Sequence, residues 1–283
     1  MTADAAALPR PADLPRLRTE PARDDDPAMP RRAVVEQVMG LPVSLHVRGP
    51  GAHGDAVAAA LAAAYERLRA DDATFSPYRP DSVVSRVRDG RARLAGCGPR
   101  VRLVASLCDE ARERTDGAFD AVRPDPVTGR RWWDPTGLVK GWAVQDAVRG
   151  LREELERLGR RHGGYDLLAV AGGDVAVACA RTDTPDWVVG VEDPADRARL
   201  LATVRLRTGA VATSGTAARG AHVHDPRTGV AATRLASATV VGPSLLWADV
   251  DATALLVDGR PDPAPLPGWF RRQVDSTALL RAA

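Results

Sequence analysis

Asp249 and Thr253 stand four residues apart in the run ADVDAT (248–253), at the start of a segment that reads as a helix. On a helix, residues i and i+4 share a face. The pair can therefore present a carboxylate and a hydroxyl to one point. Such hard oxygen ligands suit Mg²⁺, which keeps several waters and bridges to phosphate oxygens. The same pattern also serves as an ordinary helix start, with the threonine turned to the core.

A second constellation is DPTGLVKGW (134–142). A helix entered after Asp134 and Gly137 offers free backbone N–H groups to an anion, and Lys140 adds a compact, mobile positive charge. Lys140 is the only lysine among 39 basic residues, which argues that arginine would not serve there. A solvated surface lysine is the alternative. A phosphate loop of the GxxxxGK[ST] type is absent.

The third run is VATSG (211–215) followed by HVHDPRTG (222–229). If extended, His222 and His224 share a face and can act as a metal pair, as a general base, or as ordinary histidines before a turn. Zinc has little support, because no third nitrogen or sulfur ligand is near. Ser214, His222 and Asp225 can be drawn as a triad, but no GxSxG elbow accompanies them. Gly172-Gly173-Asp174 reads as a tight turn or as backbone kept bare for a flat ligand. Tyr78, in FSPYRP (75–80), is a loop aromatic that can stack on a ring or simply pack.

These residues need a scaffold. Residues 33–47 suit two short strands around Met39-Gly40-Leu41-Pro42. Helices are expected over 55–70, over 100–115 ending at Gly117, from Asp134 to about Leu158, and over 245–257. The apolar run 165–179, broken by the glycine pair, reads as two strands with a tight turn. Further strands are expected at 187–192, 201–213 and 235–241. The alternation lacks a strict βαβ rhythm, so the fold class is α+β, with mixed or antiparallel sheets and packed helices. Residues 1–30, rich in Pro, Ala, Arg and Asp, read as a disordered tail, and 31–283 as one domain.

Composition narrows the function. Net charge is +2 over 283 residues, which gives no electrostatic case for nucleic acid. No run of 18 apolar residues suggests membrane insertion. Cys97, Cys108 and Cys179 match no metal or redox spacing and read as small buried hydrophobes. The first thirty residues lack a charged-then-apolar leader pattern, so a cytoplasmic protein is expected.

Taken in order, Met39-Gly40, FSPYRPDSVVSRV (75–87), TDGAFD (115–120), DPTGLVKGWAV (134–144), AGGD (171–174), VATSG, HVHDPRTG and ADVDAT resemble the FAD:protein FMN transferase (flavin transferase) family over roughly residues 33–259. The resemblance implies Mg²⁺-dependent transfer of FMN from FAD to a threonine hydroxyl of an acceptor protein, with release of AMP. It implies Asp249 and Thr253 as metal ligands, helped by the Gly137 carbonyl. Met39, Tyr78, Asp134, Lys140, Val223 and His224 would contact FAD, and His222 would be the catalytic base. Rival readings are an FAD pyrophosphatase yielding FMN and AMP, and a non-catalytic FAD-binding protein. Departures from the family pattern are Leu41, Ala121, Ala221 and a short spacing of 13 residues between Asp120 and Asp134. Within that segment Trp132 and Trp133 are the aromatic candidates for holding FAD.

Overall fold

The computed structural model describes residues 29–124, 129–160, 163–216, 223–259, 265–273 and 275–282. The expected tail, apart from its last two residues, lies outside them, as does His222.

Strands β1 (Arg31–Val38) and β2 (Leu41–Arg48) form a hairpin, as the sequence suggests. Its two-residue turn is Met39-Gly40, with φ of 55° and 74°. Two left-handed residues in succession match the right-handed twist of the flanking strands. Methionine is an unusual occupant of that conformation, and strain of this kind collects at functional sites.

Helix α1 (Asp55–Phe75) carries Asp55 in its first turn, where the helix dipole favours an acid. It runs one turn further than the sequence suggests and stops at Ser76, held extended before Pro77. The Tyr65 hydroxyl donates to the Val34 carbonyl at 2.6 Å and the Val43 carbonyl at 2.9 Å, stitching α1 to the hairpin. A short helix α2 (Val83–Arg88), capped by the Ser82 side chain, was not legible. Helix α3 (Pro99–Arg114) begins on a proline, which needs no N–H there. A small hairpin, β3 (Val122–Pro124) and β4 (Arg131–Trp133), leads into helix α4 (Thr136–Gly159).

Strands β5 (Asp166–Ala171) and β6 (Asp174–Cys179) flank the Gly172-Gly173 turn. The expected strand over 201–213 is two strands. Strand β8 (Asp196–Leu206) pairs with β7 (Trp187–Asp193), whereas β9 (Thr208–Gly215) crosses to the main sheet. The break falls at Arg207, whose guanidinium bonds the Thr184 carbonyl at 2.7 Å and also the Arg181 carbonyl. Strand β10 (Leu235–Gly242), helix α5 (Leu245–Asp258), a short helix α6 (Gly268–Arg271) and strand β11 (Thr277–Ala282) complete the described chain.

The main sheet has the order β1-β2-β5-β6-β9-β10-β11, and every neighbouring pair is antiparallel. Its two faces follow from the side-chain period of two. Leu167, Ala169, Ala176, Ala210 and Ala212 point into the larger core beneath α1, α4 and α5. Leu168, Val170, Val175, Val177 and Val211 point the other way and pack against Trp187 and Val189 of the β7–β8 hairpin. The architecture is α+β, with helices on one face of the sheet and a hairpin on the other. Among the described residues no helix is long and apolar enough to cross a membrane.

Candidate active site

A cavity of about 1220 Å³ opens where the β1–β2 turn, the β5–β6 turn, the start of α4 and the middle of α5 meet. Met39, Tyr78, Asp134, Gly137, Lys140, Val223, His224, Asp249 and Thr253 all line it. Nine of the ten residues that the sequence points to thus converge from segments more than two hundred positions apart. His222 lies outside the described residues.

Two helices set the chemical centre. The Gln145 side-chain oxygen Oε1 accepts from the Ser244 hydroxyl at 2.8 Å and the Leu246 N–H at 3.1 Å, so α4 caps the start of α5. One turn earlier on α4, Gly141 faces Asp249. A Cβ at position 141 would lie 2.9 Å from the Asp249 Cβ and 3.1 Å from the Leu245 carbonyl oxygen. Only glycine allows that approach, and its N–H donates to Asp249 Oδ2 at 3.2 Å.

Lys140 Nζ lies 3.2 Å from Asp249 Oδ1 and 2.5 Å from Asp174 Oδ2. Asp174 opens β6 and is wholly buried, and neither of its oxygens accepts a well-aligned hydrogen bond. Burial, reinforced by the Asp249 charge, pushes the Asp174 carboxyl up to about 7 against the pull of Lys140. Burial pulls the Lys140 ammonium down, but the two aspartates outweigh it and hold it above the ordinary lysine value. The centre therefore holds two acids and one protonated base.

The two aspartates of α5 have different partners. Asp251 is buried against α3, taking the Arg114 guanidinium at 2.9 and 3.1 Å. Asp249 faces the cavity with Thr253 one turn on, and the Thr253 hydroxyl sits 3.0 Å from the Ser214 hydroxyl on β9. The Asp225 carboxylate is taken by the Arg227 guanidinium at 2.8 Å. Arg227 also reaches Asp258, which pins the loop carrying Val223 and His224 to the end of α5.

Asp134 Oδ1 accepts from the Thr136 N–H at 3.1 Å and hydroxyl at 2.7 Å, and Oδ2 pairs with Arg123. Arg123 and Arg88 stack on Trp132, at 5.7 and 5.3 Å from its ring centre. Trp133 is buried in the core. Neither tryptophan lines the cavity, so the expectation that they hold FAD is corrected. Tyr78 stands at the rim, 93% exposed. Sequence reasoning missed Asp174, read there as part of a turn. The available signal was an acid at the first position of an otherwise apolar strand.

Cys108 is buried, whereas Cys97 and Cys179 are partly exposed, and all three are free thiols. Among the described residues no group of three His, Cys, Asp or Glu side chains is placed to hold a metal. A cation here would therefore rest on one carboxylate, a hydroxyl, backbone oxygen and water.

Residues 132–266, which carry Asp134, Lys140, Asp174, Asp249 and Thr253, match the ApbE family model. Over that stretch the chain is similar to the ApbE family. Solved ApbE structures share its fold. The apbe protein of Thermotoga maritima superposes with a TM-score of 0.71 at 21% identity, over 88% of this chain and 94% of that one. The flavin transferase ApbE of Vibrio cholerae gives 0.68 at 19% identity, over 89% and 93%. The flavinyl transferase ApbE of Pseudomonas stutzeri, in its apo form, gives 0.69 at 21% identity, over 90% and 92%. No curated protein matches the chain in sequence. Met39 and Tyr78 lie outside the span matched to the ApbE model and reach the cavity through the fold alone.

Proposed function

We propose that this protein transfers FMN from FAD to a threonine hydroxyl of an acceptor protein, releasing AMP, with Mg²⁺ bound at Asp249, Thr253 and the Gly137 carbonyl. The observation that carries the reading is the convergence of these residues, with Lys140, on one cavity. A fold of this kind hosts more than one chemistry, so the argument rests on the site.

The residues suit the cation. Asp249 offers a carboxylate fixed by Gly141, and Thr253 a hydroxyl fixed by Ser214. Two acids against one lysine leave the centre net negative when both are ionised. Hard oxygens few in number match an ion that keeps its own waters. When bound, Mg²⁺ would offset pyrophosphate charge and polarise a phosphoryl oxygen.

The chain's own groups do the rest by positioning and electrostatics. An ammonium has three N–H donors. Lys140 faces Asp174 and Asp249 and also lines the cavity, so its remaining N–H would serve a phosphate oxygen of the substrate. Tyr78 offers a ring at the mouth for stacking. Met39, Val223 and His224 supply wall, and Asp134 holds the entry of α4. In the reaction the acceptor oxygen bonds to the FMN-side phosphorus. The bond from that phosphorus to the bridging oxygen breaks, and AMP leaves with the bridging oxygen. The acceptor proton passes to a base, the role we assign to His222 by resemblance. The three free thiols fit a reducing compartment, and the proposal includes a cytoplasmic site of action.

The test is AMP release from FAD by purified protein with Mg²⁺, with and without an acceptor protein, alongside Asp249→Ala. The reading expects AMP and a covalently fluorescent acceptor band together, both lost in the variant. AMP without any acceptor would make the protein a pyrophosphatase. Binding of FAD with no AMP under any condition would make it a flavin-binding protein.

A further inference from the structure

Lys140 is asked to do two incompatible things. If its ammonium neutralises Asp249, that carboxylate is a poorer ligand for a divalent cation. If the cation takes Asp249, the buried ammonium must find another counter-charge. Asp174 supplies it. Its contact with Lys140 is shorter than that of Asp249, 2.5 against 3.2 Å. Asp174 is wholly buried and is set back from the cavity wall, behind Lys140. Asp249 has an anchor that does not involve the lysine, the Gly141 N–H on Oδ2. Lys140 can therefore settle on Asp174 while Asp249 keeps its place with Oδ1 released.

We propose that Asp174 is a positioning residue that draws Lys140 away from Asp249 and so opens Asp249 to a divalent cation. The inference rests on the reading of Asp249 as a cation ligand. Without the Asp174 charge, Lys140 has Asp249 as its sole carboxylate among the contacts described, and the cation must compete with a tethered ammonium.

Mn²⁺ binding to the full chain, followed by loss of the free-ion EPR signal, reads this without any turnover. Asp174→Asn is expected to weaken Mn²⁺ binding about tenfold, the scale on which contacting residues couple. Lys140→Met is expected to bind at least as tightly as wild type, since the competitor is gone. The double variant should return to within roughly twofold of Lys140→Met. A role confined to holding the fold together would show no such rescue. Three results overturn the proposal: unchanged binding in Asp174→Asn, a double variant as weak as Asp174→Asn alone, or weaker binding in Lys140→Met. The last stands even if Asp174→Asn fails to fold. Asp249→Asn separates the two readings. If it leaves Mn²⁺ binding intact, the assignment of Asp249 as ligand fails and this inference falls with it. If it abolishes binding while Asp174→Asn changes nothing, only the inference fails.

Discussion

Ser214 Oγ lies 3.0 Å from Thr253 Oγ1, joining the end of β9 to the middle of α5 across the cavity wall. A hydroxyl rotates freely unless something fixes it, and this contact selects the orientation of the Thr253 oxygen. Removing one neutral hydrogen bond costs about 1 kcal/mol. Ser214→Ala should therefore slow AMP release about fivefold at limiting Mg²⁺, and less at saturation. Thr253→Val should be much slower, and Thr253→Ser close to wild type. Rates measured across a Mg²⁺ titration check all three.

Tyr78 stands at the rim with almost all of its side chain in solvent. Tyr78→Ala should leave the urea midpoint unchanged, because exposed substitutions move stability by less than about 0.5 kcal/mol. A stacking contact to a flat base is worth about 1–3 kcal/mol. The KM for FAD should accordingly rise about tenfold, with kcat little affected. Tyr78→Phe, which keeps the ring, should match wild type in steady-state kinetics.

Asp174 links the site to pH. Its carboxyl is pushed up from 3.8 to about 7, by burial first and the Asp249 charge second. Between those values the folded chain holds a proton that the unfolded chain has released. The contribution of this group is full below about pH 4 and is lost as pH rises through 7. Urea unfolding at pH 5 and pH 8 should show wild type losing stability relative to Asp174→Asn on going up. An opposite slope would mean that Lys140 dominates the pair.

Asp166 sits at the far end of β5 from the cavity. Its Oδ2 takes the Arg48 guanidinium at 2.9 Å and the Thr184 hydroxyl, and its Oδ1 takes the Arg181 N–H at 3.0 Å. Asp166→Ala would strand a buried guanidinium, which costs about 3–5 kcal/mol. Melting temperature should fall sharply while kcat at a permissive temperature stays near wild type.

Much of this fold was legible because its signals are local. The Met39-Gly40 turn, the proline after α1 and the face repeat of α3 each act within a few residues. The alternation on β5 and β6 reports two buried faces directly. The split at Arg207 was not legible, because the apolar pattern runs on through it. What ends the strand is a pull from carbonyls at Arg181 and Thr184, more than twenty residues back. The paired aspartates of α5 show the same limit. Asp249 and Asp251 are alike in type, and partners on other helices tell them apart, Arg114 for Asp251 and Gly141 with Lys140 for Asp249. Trp132 read as a ligand-stacking aromatic because the sequence does not show that two arginines already cover it.

The missing side chain at Gly141 acts as a gauge. It sets how near α4 and α5 lie, and so whether the lysine one place before it reaches Asp249 at all. A single methyl group there would leave every reactive atom of the site chemically intact and still pull the centre apart. In this protein the lysine and the glycine are one device, and a chain that kept the first without the second would carry the right reagents at the wrong spacing.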